Sequence, residues 1–292
     1  MGTSKPKRLK AEVPERDPIR VSRTRTPRPF LKWAGGKMQL LPDLTSRIPV
    51  FPGRYIEPFA GGGALFFWLT PKNALLQDFN VELIHCYTVI RDHVDELIEC
   101  LRKFRYTEKD YYRIRATDPD KLDDANRAAR TVYLNKTGFN GLYRVNSKGK
   151  FNVPMGRYVN PRILDEKNLR ACSAALATTT LNAVSFESVV ESAEAGDFVY
   201  LDPPYIPLSR TANFTAYQRG GFNEDNQAEL ARVFNALTQK GAYAMLSNSD
   251  VPWIHENYEG HRIELVQATR SVNRNADGRG PISEVIVMNY DY

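Results

Sequence analysis

Asp202, Pro203, Pro204 and Tyr205 follow a short apolar run, Phe198-Val199-Tyr200-Leu201. The run reads as a buried strand, and two consecutive prolines end it because neither has an N–H to give to a ladder. A carboxylate, a prolyl carbonyl and an aromatic ring then leave together from the carboxyl end of a strand, where open α/β sheets bind ligands. Two acceptors beside a ring suit an amino group on a flat heterocycle. The plainer reading is a strand end followed by a Pro-Pro turn, and four residues alone do not choose between them.

A second constellation lies between Arg54 and Phe67, where Tyr55-Ile56-Glu57 reads as a strand, Gly61-Gly62-Gly63 as a turn and Ala64 onward as a helix. Glycines at such a corner let a ligand approach the backbone closely. The dinucleotide fingerprint is incomplete, since Phe66 stands where its third glycine belongs. The short strand Ala74 to Gln77 ends in Asp78, an acid 17 residues after Gly61. That is near the offset of about 20 at which an acid accepts ribose hydroxyls. A relaxed glycine loop with such an acid resembles the S-adenosylmethionine site of class I methyltransferases, although each piece alone reads equally as a loop glycine or a helix cap.

Upstream, Phe30-Leu31-Lys32-Trp33-Ala34-Gly35-Gly36-Lys37 sets an aromatic and two lysines around a glycine turn, before Met38, Leu41, Leu44 and Ile48 at helical spacing. Glycines at a helix start turn backbone N–H groups toward an anion. A phosphate-binding P-loop fails here, because Leu31 occupies its first glycine position and Met38 replaces the hydroxyl residue that would hold magnesium. Lys37 is left to bind a carboxylate.

The elements that must position these groups read as α/β at both ends of the chain with helices between. From Val81 to about Leu134 the apolar spacing is helical throughout. Residues 139–154 alternate about Asn146-Ser147-Lys148-Gly149 and predict a β-hairpin with a basic tip, sized for a DNA groove. After Leu201, a helix over Phe222 to Leu237 precedes strands over Ala242 to Leu246, Ile263 to Val266 and Glu284 to Tyr290, with Asn273 to Pro281 a mobile loop. The expected domains are a disordered basic arm at 1–29, a catalytic domain at 30–80 and 175–292, and a helical insertion at 81–174.

The chain has 292 residues, 42% hydrophobic and 25% charged, which is ordinary globular composition. No apolar run approaches the roughly 18 residues that cross a bilayer, and the N-terminus lacks an apolar signal core, so a cytoplasmic protein is expected. Cys86, Cys100 and Cys172 form no Cys-x-x-Cys pair and the four histidines show no ligand spacing, so buried free thiols and no metal are expected. The net charge of +6 resides in residues 1–29, where nine Lys/Arg face three acids. Within the fold a local patch stands out, because residues 130–170 carry nine Lys/Arg against two acids, interleaved with aromatics and glycines. Such patches attract phosphates, although a charge run is more often a solvated face.

Together Phe30 to Lys37, Glu57 to Gly63, Asp78, Asn135 to Tyr158, and Asp202 to Tyr205 with Thr211 to Tyr217 resemble, in order, the Dam family of DNA adenine-N6 methyltransferases. The resemblance runs from about Phe30 to the C-terminus, and Phe139 stands where the family has a tyrosine. It implies a Rossmann-like class I sheet with an inserted helical recognition domain. It also implies that Trp33, Lys37, Phe59, Gly61, Gly63, Asp78 and part of Asp202 bind S-adenosylmethionine, and that Asp202, Pro203, Pro204 and Tyr205 form the catalytic corner. Lys32, Phe139, Asn140, Leu142, Arg144 and Pro154 would contact double-stranded DNA, with GATC as the expected target and a monomer as the expected form. Rivals are cytosine-N4 methylation, methylation of a protein glutamine amide, and a DNA-binding relative without catalysis. No cysteine follows a proline, which argues against cytosine-C5 chemistry through a thiolate.

Overall fold

The computed structural model describes residues 7–14, 27–207, 222–269 and 281–292. Among them are nine strands: β1 (Leu9–Lys10), β2 (Tyr55–Glu57), β3 (Ala74–Gln77), β4 (Thr179–Asn182), β5 (Phe198–Leu201), β6 (Tyr243–Ser249), β7 (Arg262–Thr269), β8 (Pro281–Met288) and β9 (Tyr290–Asp291). Seven form one sheet in the order β4-β3-β2-β5-β6-β8-β7. The first five run parallel, and β8 is antiparallel to both neighbours. The chain starts this sheet near its middle, winds outward through β3 and β4, and returns to pair β5 with β2. The order therefore reverses between β2 and β5, and open α/β sheets bind ligands in a crevice outside the carboxyl ends at such a point.

The strands β2, β3 and β5 are buried on both faces, so their side chains alternate between two cores rather than between core and water. Along β5, Phe198 and Tyr200 join Tyr55, Leu76, Phe66 and Phe67 on one side. Val199 and Leu201 join Ile56, Leu75 and the apolar face of the helix Glu224–Lys240 on the other. That helix is closed by a capping box, in which Asn223 and Asn226 exchange hydrogen bonds.

Between β3 and β4 the chain forms the helices Val81–Asp92, Val94–Arg102, Glu108–Ala116, Asp124–Thr137 and Glu166–Leu176. Asn80, Thr107 and Asp123 each accept a backbone N–H at the start of one of them. The helical periodicity of this stretch is reproduced. The predicted β-hairpin is interrupted: its two arms pair antiparallel at the base, where Gly138 bridges Met155, and at the tip, where Val145 bridges Phe151. Asn140 and Gly141, with φ of 54° and 64°, bend the chain out of extended geometry between them. Asn146 holds the tip by accepting the N–H groups of Lys148 and Lys150 at 2.9 and 3.0 Å.

The N-terminal reading is corrected in part. Order does not begin at Phe30: Leu9 and Lys10 pair with Tyr290 and Asp291, Glu12 accepts the Val50 N–H at 2.7 Å, and Arg28 exchanges backbone bonds with Asn168. A two-residue strand carries no periodicity to detect. Residues 1–6 and 15–26 of the predicted arm, the Thr211 to Tyr217 motif and residues 273–280 of the predicted loop lie outside the described residues. The helix expected from Met38 is also shorter, Leu41–Thr45 with Pro42 in its first turn. Gly35 and Gly36 therefore do not sit at a helix N-terminus. β4, whose sequence Thr-Thr-Leu-Asn gives only weak alternation, is an addition to the expected strands.

Candidate functional site

Asp202 leaves β5 at the crevice and keeps 18% of its side-chain surface exposed. Its Oδ1 accepts from the Lys37 ammonium at 2.8 Å and from Ser247 Oγ at 3.1 Å, and Ser247 in turn pairs with the Tyr200 hydroxyl at 3.0 Å. Burial pushes the Asp202 carboxyl above its ordinary value, while Lys37 and Ser247 pull it back. The Lys37 nitrogen also donates to Gly35 O at 2.7 Å and lies 4.4 Å from the centre of the Tyr205 ring. A carboxylate partner was expected for Lys37, and the one present is the protein's own. Tyr205 is anchored at its far end, where its hydroxyl donates to Glu284 Oε2 at 2.9 Å.

The two prolyl carbonyls differ. Pro204 O accepts from Gln227 Nε2 at 2.9 Å, and Asn248 links Gln227 to the Ile206 N–H. Pro203 O accepts no hydrogen bond from the described residues. Asp202, the Pro203 carbonyl and the Tyr205 ring thus remain available to a planar ligand carrying an amino group. Ser247, Gln227, Asn248 and Glu284 were not foreseen, because nothing local marks a polar residue that acts on a distant strand end.

Beside this corner, Gly61 to Gly63 link β2 to the helix Ala64–Leu69. Asp78 accepts the N–H of Gly61 at 3.0 Å and of Asn80 at 2.9 Å, which fixes the β3 end against the glycine corner. Trp33 closes the corner: a Cβ at Gly61 would lie 3.1 Å from its Cδ1. The aromatic ring of Phe59 stacks on Phe186 at 5.2 Å and meets Phe222 edge-on at 5.7 Å. Phe79, next to Asp78, leaves 82% of its surface exposed at this rim and is a further apolar wall that sequence reading passed over. The cradle has groups that suit a nucleoside, with a carboxylate that can accept from hydroxyls and aromatic faces for a base. Among the described residues no group of three or more His, Cys, Asp or Glu could hold a metal ion, and no helix is long and apolar enough to cross a membrane. The three cysteines are buried and free.

The residues expected at DNA lie on the adjoining 138–155 segment and on Lys32. Phe139, Leu142, Arg144 and Pro154 are exposed, and Asn140 holds a positive φ that costs a non-glycine residue energy. Arg144 donates Nε to Asn152 Oδ1 at 2.7 Å, which holds its guanidinium along the segment. Trp33 stacks on Tyr143 at 5.6 Å, and the Lys32 ammonium sits 4.2 Å from the centre of the Tyr158 ring. The segment's base is tied to the helices by Tyr111, whose hydroxyl reaches the carbonyls of Val153 and Pro154 at 3.0 and 3.2 Å. The structure therefore brings the two groups of expected residues to one continuous face, joined at Lys32 and Trp33.

Glu57, at the end of β2, is a second buried acid. It is 2% exposed, takes a short hydrogen bond from Tyr55, and has its carboxyl pushed up to about 8 by burial and then by Asp202. Its folded pKa exceeds the ordinary 4.5, so the folded protein binds the extra proton between these values. The stability Glu57 contributes is complete below about 4.5 and falls as pH rises toward about 8. Glu57→Gln is therefore expected to flatten the melting temperature between pH 5 and 8 and to melt above wild type at pH 8.5. Thermal melts of both proteins across that range check this, and parallel curves would remove the assignment.

A mostly parallel sheet with its switch point beside a glycine corner, an acid at the next strand end and Asp-Pro-Pro-Tyr at the facing one is consistent with a class I methyltransferase fold. Residues 33–272 match the family described as D12 class N6 adenine-specific DNA methyltransferase. The chain is 46% identical over 271 residues to the Type II methyltransferase M1.LlaDCHI of Lactococcus lactis subsp. cremoris, covering 90% of this chain and 95% of that one. It is 42% identical over 286 residues to the Type II methyltransferase M.MjaIII of Methanocaldococcus jannaschii, covering 90% and 99%. It is 34% identical over 266 residues to the DNA adenine methylase of Escherichia coli K12, covering 89% and 95%. The chain belongs to the D12 class of N6 adenine-specific DNA methyltransferases and is an enzyme of that kind. Membership implies S-adenosylmethionine as methyl donor and DNA as substrate.

Proposed function

We propose that this enzyme methylates adenine N6 in GATC within double-stranded DNA, acting on a base taken out of the helix. The observation that carries the reading is the pairing of the Asp202 and Pro203 acceptors with the Tyr205 ring, beside the cradle of Trp33, Gly61, Gly63 and Asp78. When bound, S-adenosylmethionine supplies a methyl group made electrophilic by its sulfonium. Asp78 would hold its ribose, Trp33 and the backbone from Phe59 to Gly63 would wall it, and Lys37 would pair with its carboxylate.

Adenine N6 is a poor nucleophile because its lone pair is delocalised into the ring. Asp202 accepts one N–H and the Pro203 carbonyl the other, which favours a pyramidal nitrogen whose lone pair is available. Tyr205, held by Glu284, supports the base by stacking. Ser247 restricts Asp202 to the rotamer in which its second oxygen faces the base. The corner cannot be reached from within a duplex, so the base must leave the stack at a cost of a few kcal/mol. Phe139 supports this step as a ring able to wedge between base steps. Arg144 reads a guanine by a bidentate pair, with Leu142 and Pro154 against a thymine methyl and Lys32 and Asn140 beside them.

DNA from cells expressing the protein, digested with nucleases that separately report modified and unmodified GATC, tests the target. Protection at GATC with N6-methyladenine in the nucleoside digest is expected. Unprotected GATC, or N4-methylcytosine in its place, would reject the reading.

A further inference from the structure

Asn135 lies in the last turn of the helix Asp124–Thr137 and is 2% exposed. All its amide hydrogen-bonding atoms are used. Oδ1 accepts the Lys32 N–H at 2.8 Å, and Nδ2 donates to Lys32 O at 2.7 Å and to Gly141 O at 2.9 Å. One donor faces the oxygen and two acceptors face the nitrogen, so the amide has a single orientation. The contact at Gly141 is close: its φ is 64°, and a Cβ added there would lie 2.5 Å from Lys32 Cδ and 2.6 Å from Lys32 Cβ. The turn that carries Phe139 to Leu142 is thus seated directly on Lys32, and Asn135 is the joint that fixes both.

We infer that Asn135 is a positioning residue for sequence recognition, holding Lys32 and the Phe139–Leu142 turn as one unit so that their side chains meet the bases in a single register. The inference rests on the proposed assignment of Lys32, Leu142 and Arg144 to the DNA. Asn135 itself cannot touch DNA, being enclosed by the backbone it holds. Its helix is a rigid support, since Arg130 of the same helix donates to the carbonyls of Ile114 and Arg115 at 3.1 and 2.9 Å. Side chains that read base edges discriminate only when held to within about half an ångström, so loosening the joint costs the correct site more than a wrong one.

The test maps methylated adenines across the genome of cells expressing wild type, Asn135→Ala or Gly141→Ala, with melting temperatures of the purified proteins. Expression of wild type is titrated to match each variant's total methylation. The expected result is a ratio of cognate to single-mismatch methylation about tenfold lower in both variants. Should Asn135→Ala fail to fold, Asn135→Asp keeps the shape and the acceptor for the Lys32 N–H, loses both donors, and carries the same comparison. A lower melting temperature with the ratio unchanged would overturn the inference, because a merely structural role lowers methylation at all sites together. A wild-type spectrum centred on a sequence other than GATC corrects the proposed target and leaves the ratio, computed on that sequence, to decide the role of Asn135.

Discussion

Asp202→Ala is expected to slow methyl transfer by roughly 10²- to 10³-fold in single turnover at saturating S-adenosylmethionine, the loss typical of removing one preorganised partner of the reacting group. The substitution deletes the acceptor for the adenine amine while leaving the Pro203 carbonyl and the Tyr205 ring. It also frees Lys37 and Ser247, both of which donate to Asp202 Oδ1. Asp202→Asn separates charge from shape: it retains one acceptor oxygen but places an NH2 against Ser247 or the adenine amine, both of which donate, and is expected to be nearly as slow. The pH profile carries the same information. Asp202 accepts through both oxygens only when ionised, and burial raises its carboxyl above the ordinary 3.8. The single-turnover rate is therefore expected to rise with pH through a midpoint above that value, and this limb disappears in Asp202→Asn. A variant within about threefold of wild type would contradict the assignment, since it lies far inside the range expected for a lost partner.

Gly63→Ala is expected to damage both stability and cofactor affinity. Gly63 has a φ of 64°, and an added Cβ would lie 2.6 Å from the Tyr87 hydroxyl oxygen and 3.2 Å from the Phe67 ring. Tyr87 cannot yield freely, because its hydroxyl donates to the Gly61 carbonyl at 3.1 Å and its ring stacks on Phe67 at 6.1 Å. Left-handed strain and overpacking together cost about 2–4 kcal/mol. For a chain of this size that lowers the melting temperature by roughly 3–7 °C. The same movement shifts Gly61, whose N–H donates to Asp78, so affinity for S-adenosylmethionine is expected to fall about tenfold or more. Gly149→Ala is the control, because Gly149 also has a positive φ but meets nothing within 4 Å. Melting curves and titration calorimetry compare the two, and equal behaviour would show that the glycine corner tolerates a side chain.

The parts of this site that could be read from the sequence are those whose cause is local. Pro203 and Pro204 end β5 wherever the strand is placed, and Gly61 to Gly63 followed by Asp78 mark a strand-turn-helix corner and the next strand end. The helices from Val81 onward were legible because their apolar spacing is regular and their caps are adjacent in sequence. What was not legible depends on partners brought together by topology. The pairing of Leu9 with Tyr290 joins residues at opposite ends of the chain in a strand too short for any pattern. The antiparallel placement of β8 between β6 and β7 follows from sheet order, which no window of residues contains. The 138–155 segment does alternate and its arms pair at base and tip, while positive φ at Asn140 and Gly141 interrupts the pairing between them. Asn135 and Gln227 read as ordinary polar helix residues, and only burial against backbone from other elements distinguishes them.

The claim on which the rest depends is that an adenine leaves its helix to be gripped by Asp202 and Pro203 over Tyr205. The most direct measurement is the fluorescence of a GATC duplex carrying 2-aminopurine at the adenine position, titrated with the enzyme in the presence of a nonreactive S-adenosylmethionine analogue. A large rise in emission as the base loses its stacking neighbours is the expected result, with emission partly quenched again by the Tyr205 ring and higher still in Tyr205→Ala. Emission that stays at the level of free duplex while binding saturates would contradict it.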